Sequence, residues 1–177
     1  MHSCGHLAEF FRTDEELIER VVAFMQEGFE TDCACIAVVT PQHQAKIADS
    51  LRARGLSEDA LIAAYRYIVL DAQTMLDSIR REGKLDAAEF HRSFGQLISL
   101  AASGGRHVRL VGEMVTLLAN EADSAGVIQL EEVWNDLSRV YPFTLLCAYP
   151  MAVFESSLSP QSLLQVRALH SRVRHSA

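Results

Sequence analysis

Short apolar runs separated by amphipathic stretches are the feature that most narrows the fold. Cys33-Ala34-Cys35-Ile36-Ala37-Val38-Val39, Tyr67-Ile68-Val69-Leu70, Val108-Arg109-Leu110-Val111 and Phe143 to Cys147 each have the length of a core strand. Helical signals fill the gaps. Thr13 followed three residues later by Glu16 forms a capping box. Leu17, Ile18, Val21, Val22, Phe24 and Met25 then recur at helical spacing, and Gly28 offers a stop. Pro41 opens the next helix, and Ala72 to Arg81 reads as another. Asp86 caps a helix with Phe90, Phe94, Leu97, Ile98 and Ala101 on one face, closed by Gly104-Gly105. Leu130, Val133, Trp134, Leu137 and Val140 mark a further helix, interrupted by Pro142, and the tail from Ser162 to Arg172 also reads as helical. This order predicts a three-layer α/β fold with a mainly parallel central sheet flanked by helices.

Nothing divides the chain. At 177 residues, without repeats or a flexible linker, residues 1–177 read as one domain. A formal charge of −7 disfavours direct binding to nucleic acid. No apolar run approaches the ~18 residues of a membrane span. The start, Met1-His2-Ser3-Cys4-Gly5-His6, lacks a basic stretch followed by an apolar segment, so a cytoplasmic location away from membranes is expected. The four cysteines are not needed as staples in a chain of this size, and Cys33 and Cys35 read as buried free thiols.

The motifs of common chemistries are missing. The turn Thr40-Pro41-Gln42-His43-Gln44-Ala45-Lys46-Ile47 has no glycine, and no hydroxyl follows Lys46, so it cannot cradle a nucleotide phosphate. A Gly-x-Ser-x-Gly elbow, His-Glu-x-x-His and Cys-x-x-Cys are absent as well, and no cofactor is expected. His2, Cys4 and His6 could ligate a metal, yet their alternate spacing near an end is not a zinc pattern, and no structural metal is expected there. Asp71 and Glu113 both follow strand-like runs, where parallel sheets place ligand crevices. They could serve a small hydrolase or transferase, or simply cap the following helices. Arg109 lies inside its strand and needs a carboxylate or an outlet to solvent. Glu132 and Asn135 stand three apart on one helical side, and Trp134 between them reads as core. Arg109 and Glu113, completed by Glu132 or Asn135, are expected to form one polar centre.

Several segments together resemble the MEDS domain family, the sensory domain of methanogen and methylotroph proteins and of a dichloromethane-responsive regulator. They are His6, Phe10-Phe11-Arg12-Thr13-Asp14-Glu15-Glu16-Leu17, Phe24-Met25-Gln26-Glu27-Gly28 and Val108-Arg109-Leu110-Val111-Gly112-Glu113-Met114. Glu132 with Asn135, then Leu146-Cys147-Ala148-Tyr149 and His170, continue the likeness over about residues 6–170. The resemblance implies a RecA/KaiC-like fold without the phosphate loop. It further implies a non-enzymatic sensory module for a small hydrocarbon-derived ligand, acting on a signalling or transcription-regulatory partner. Carried onto this chain, it singles out Arg109, Glu113, Glu132, Asn135 and Cys147. The chain departs from the family's usual pattern at Ala148-Tyr149-Pro150, and at Glu131, where an aromatic residue is usual. An oligomeric scaffold, built from copies of the chain, is the other alternative to sensing.

Overall fold

In the computed structural model, which describes residues 5–175, the apolar stretch ahead of the capping box is the first strand, β1 (Gly5–Phe11). Thr13 caps helix α1 (Asp14–Glu30) by accepting from the Glu16 amide at 3.2 Å, while the Glu16 carboxylate accepts from the Arg12 amide at 2.9 Å. Gly28 does not end this helix as its sequence context suggested. Its missing side chain makes room instead, because a Cβ there would lie 2.6 Å from Cδ of Arg109. Strand β2 (Ala34–Val39) leads into α2 (Pro41–Ala53) and α3 (Glu58–Ala63). Strand β3 (Tyr67–Asp71) follows, then α4 (Ala72–Ser78).

The helix expected to reach Arg81 is shorter. After Ser78 the chain forms a two-stranded hairpin, β4 (Arg80–Arg81) and β5 (Lys84–Leu85), whose turn residues Glu82 and Gly83 have φ of 50° and 78°. Helix α5 (Ala87–Ala101) carries its predicted Asp86 cap. Then come β6 (Val108–Gly112), α6 (Met114–Asn120), α7 (Ser124–Ser138) and β7 (Phe143–Pro150). The tail is a second departure from the sequence reading. Helices α8 (Met151–Ser157) and α9 (Pro160–Ala168) give way to an edge strand, β8 (Arg172–His175).

The six strands run in the order β3-β2-β6-β7-β1-β8, and every neighbouring pair is parallel. Helices α1, α2 and α3 cover one face, over Cys35, Ala37, Val39, Val111, Leu146 and Ala148. Helices α4 to α9 cover the other, over Ala34, Ile36, Val38, Leu110, Leu145 and Cys147. Burial from both sides is why the strands read as unbroken apolar runs rather than alternating ones. Trp134 is core as expected, with Phe90 and Phe94 ring centroids each 4.7 Å away.

The first turn at a strand end is therefore not the one after Val39 but Arg12-Thr13, leading into Asp14-Glu15-Glu16. It also lacks glycine, and three carboxylates in the first helical turn repel phosphate. Among the described residues, no helix is long and apolar enough to cross a membrane.

Candidate functional site

Most of the polar residues singled out in the sequence fall in three places, with Asp71 and Glu132 outside them. Arg109 stands on β6 and faces α1, as strand alternation places it beside Val111 and away from Leu110. Its Nη2 donates to Glu27 Oε2 at 2.8 Å, and its guanidinium carbon lies 4.0 Å from the centre of the Phe24 ring. Its Nε is buried and has no hydrogen-bond partner among the described residues. The side chain borders a cleft of about 660 Å³ between α1, the first halves of β1 and β6, and edge strand β8. Arg20, Arg109, Arg172 and Arg174 line it against Glu9 and Glu27, with Leu7, Ala23 and Phe24 as apolar wall. Glu9 accepts twice from Arg20, at 3.0 and 2.7 Å, and lies 3.5 Å from Arg174. Cations exceed carboxylates even after these pairs are formed.

Glu113 is elsewhere. It sits just past β6, where the chain has left the sheet, and its carboxylate turns toward α2 rather than back to Arg109. Oε2 accepts from the Thr40 amide at 2.8 Å, and Oε1 lies 2.5 Å from His43 Nδ1. The carboxylate thus occupies the amino terminus of α2, where helix amides favour negative charge. His43 continues to Asp14, with Nε2 3.5 Å from Oδ2, and Lys46 donates to the same oxygen at 2.8 Å. The hydrogen bond to Glu113 raises the His43 pKa above its usual 6.5, the nearby Asp14 adding to the effect against the cost of burial. Asp71 is neither near Glu113 nor free: Oδ1 accepts from the Thr74 amide and hydroxyl at 2.7 and 2.6 Å, capping α4. Strand β2 lies between β3 and β6, so the two carboxylates emerge two strand spacings apart, about 10 Å.

The third place is a buried polar centre between β1, β7, α7 and the turn after α9. Cys147 and Tyr149 alternate on β7 and so share its α7 face, and His6 on β1 lies on the same side. Helix α7 brings Glu131 and Asn135, four apart, down onto them. Glu132, the neighbour named by the resemblance, points outward and is exposed. Glu131 is fully buried. Its Oε2 lies 2.9 Å from His6 Nε2, 3.4 Å from His170 Nε2 and 3.6 Å from the Cys147 sulfur, and Tyr149 donates its hydroxyl to Oε1. His6 Nε2 is also 3.3 Å from the sulfur.

The outer hydrogen bonds of this centre fix its protons. His170 Nδ1 lies 2.7 Å from the carbonyl of Val166, which can only accept, so Nδ1 carries a proton. Asn135 Nδ2 donates to the Leu169 carbonyl at 2.8 Å, which leaves its Oδ1 to accept from His6 Nδ1 at 3.0 Å. Both imidazoles therefore turn Nε2 toward Glu131. Burial alone would raise the carboxyl's pKa, but hydrogen bonds and charge from His170 and His6 prevail and hold it well below the usual range. His170 is raised in return: burial lowers it, and the Glu131 hydrogen bond and charge more than offset that. Burial, then the Glu131 charge, pushes the Cys147 thiol well up.

Asn135 and Cys147 meet in this centre, away from Arg109 and Glu113, with which Asn135 was expected to group; Glu131, Tyr149 and His170 are members that sequence reasoning did not assign. It also grouped His6 with His2 and Cys4, both of which lie outside the described residues. The four-residue spacing of Glu131 and Asn135 and the two-residue spacing of Cys147 and Tyr149 were the available signals. Cys33 and Cys35 are buried free thiols apart from the centre.

Comparison with curated proteins gives no match. Comparison with protein families matches residues 5–171 to the methanogen/methylotroph, DcmR sensory domain. Those residues contain strands β1 to β7, the Arg109 cleft's central wall and the whole buried centre, so the chain belongs to the MEDS sensory domain family.

Proposed function

We propose that this domain senses a small hydrocarbon-derived molecule in the cleft beside Arg109 and passes its occupancy to a signalling or transcription-regulatory partner in the cytoplasm. The observation that carries this reading is Arg109 itself. A strand-borne guanidinium is stacked on Phe24, held by one exposed carboxylate and left with a buried, unpartnered Nε beside an open cleft. The lining suits a molecule with a short apolar body and an anionic or strongly accepting group. The body would lie on Leu7, Ala23 and Phe24, and the acceptor would meet the arginines.

Edge strand β8 supplies Arg172 and Arg174 to the cleft and, among the described residues, pairs only with β1, so its seating can respond to what lies between them. A ligand that binds the seated form more tightly than the released form shifts that equilibrium; one that binds both equally changes nothing. Calorimetric titration with short-chain carboxylic acids and their uncharged alcohol and halide counterparts tests the reading. Binding of one class, lost in Arg109→Leu while the fold is kept, is expected. Absence of binding across the panel, or binding indifferent to Arg109→Leu, overturns it. Turnover of the bound compound would instead favour the hydrolase or transferase reading.

A further inference from the structure

We propose that His6, Glu131, Cys147 and His170 form a tetrahedral site for a single divalent metal ion of the zinc class. This goes beyond the cleft reading, lies on the opposite face of the sheet, and stands or falls separately. It also replaces the sequence expectation that no metal is bound, and with a set that shares only His6 with the amino-terminal candidates. The four potential ligand atoms are two imidazole Nε2, one carboxylate oxygen and one sulfur, all from buried residues and all within 4.8 Å of one another. Bond lengths of about 2.0–2.3 Å put the ligand atoms of tetrahedral zinc about 3.3–3.8 Å apart. Of the six separations, 3.3, 3.4 and 3.6 Å fall in that range, 2.9 Å is shorter, and the other two are at most 4.8 Å. Little side-chain movement is needed to seat an ion.

The surrounding hydrogen bonds are those that a metal site requires. Metal-bound histidines donate their other ring nitrogen to an outer acceptor, which fixes the tautomer and aims the lone pair. Both do so here: His170 to the Val166 carbonyl and His6 to Asn135, whose amide is itself oriented by Leu169. Tyr149 donates to the other carboxylate oxygen, Oε1, and its hydroxyl lies 3.2 Å from His170 Nε2. One thiolate and one carboxylate would neutralise a divalent ion, which makes deep burial affordable. Ion capture displaces the Cys147 thiol proton and any proton on the two Nε2 atoms, all released to solvent. A cleft of about 410 Å³ borders His6, Asn135 and His170 and offers the ion a path. Mixed nitrogen, oxygen and sulfur donors at four-coordination select zinc over magnesium or calcium.

The test uses the full chain, freed of any purification tag and of metal by chelation, then titrated with cobalt(II) and afterwards with zinc. One cobalt per chain is expected, with thiolate-to-cobalt charge-transfer absorption and the visible bands of tetrahedral cobalt, both erased by zinc. Cys147→Ser should abolish the charge-transfer band, and Cys4→Ser should leave it unchanged. Asn135→Ala, which removes no ligand but only the outer hydrogen bonds to His6 and Leu169, should weaken binding by about 10- to 100-fold and covers the case in which Cys147→Ser fails to fold. Substoichiometric cobalt, octahedral spectra, or a band lost with Cys4→Ser but not Cys147→Ser would overturn the assignment. So would cobalt affinity unmoved by Asn135→Ala, leaving the cluster a hydrogen-bond network and no more.

Discussion

At the scale of single residues, charge burial governs what each polar group can do. Glu113 is 2 % exposed and serves the Thr40 amide and His43 together. Glu113→Gln keeps the shape but removes the charge, and is expected to lower stability by roughly 1–3 kcal/mol in denaturant unfolding. It should also bring the NMR titration of His43 down toward 6.5, since the bond to Glu113 is the chief cause of its elevation. A His43 titration that does not move would refute the pairing. The buried centre has a pH signature of its own in the metal-free protein. Glu131 is depressed when folded, so its contribution is complete above its usual 4.5 and is lost as pH falls below that. His170 is raised, so its contribution is complete below 6.5 and is lost as pH rises through its folded value. The centre therefore stabilises most between about 4.5 and 6.5. His43 titrates in the same direction, so the test is the difference between wild type and His170→Gln. That difference should shrink from pH 6 to pH 9.

At the scale of elements, what could be read in advance was whatever is written locally. The Thr13 and Asp86 caps and the four apolar runs stand where their residues lie in sequence, because a cap or a doubly buried strand needs only its neighbours. The helix after β3 was overextended because its stop is not a glycine cap but a hairpin whose first turn residue is Glu82, an unusual occupant of positive φ. Glu82→Asn should relieve that conformation and raise stability by about 0.5–1 kcal/mol, seen as a higher denaturation midpoint at unchanged slope. An unchanged midpoint would mean that Glu82 meets no strain there. Arg109 and Glu113 are expected together because a charged strand residue stands beside a carboxylate-bearing turn within one segment of the resemblance, but a strand followed by a turn sends such residues to different neighbours. The buried centre could not be assembled in advance for the opposite reason. Its members span His6 to His170, and only the insertion of β7 between β6 and β1 brings them together.

At the scale of the whole molecule, β1 and the turn before β8 belong to both candidate sites at once. Leu7 and Glu9 line the Arg109 cleft, while His6 between them and the chain start faces the buried centre. Past α9 the same alternation holds, with His170 in the centre and Ser171 on the cleft. Ser171 ties the two segments: its amide and its hydroxyl both donate to the His6 carbonyl at 2.8 Å, and its oxygen accepts from the His6 amide at 3.0 Å. Strand β1 and this clamp therefore join the two sites, and any linkage between them is reciprocal. Ser171→Ala deletes the side-chain bonds to the His6 backbone without replacing a residue of the centre. Its expected cost is about 1 kcal/mol in global stability, but its larger effect should be local. Hydrogen exchange in residues 171–175 and in β1 should accelerate well beyond that in β2 and β6, and the His170 ring should lose its raised titration as its backbone loosens. Uniform acceleration across the sheet would show that Ser171 contributes only to overall stability, and that the two faces do not communicate through it.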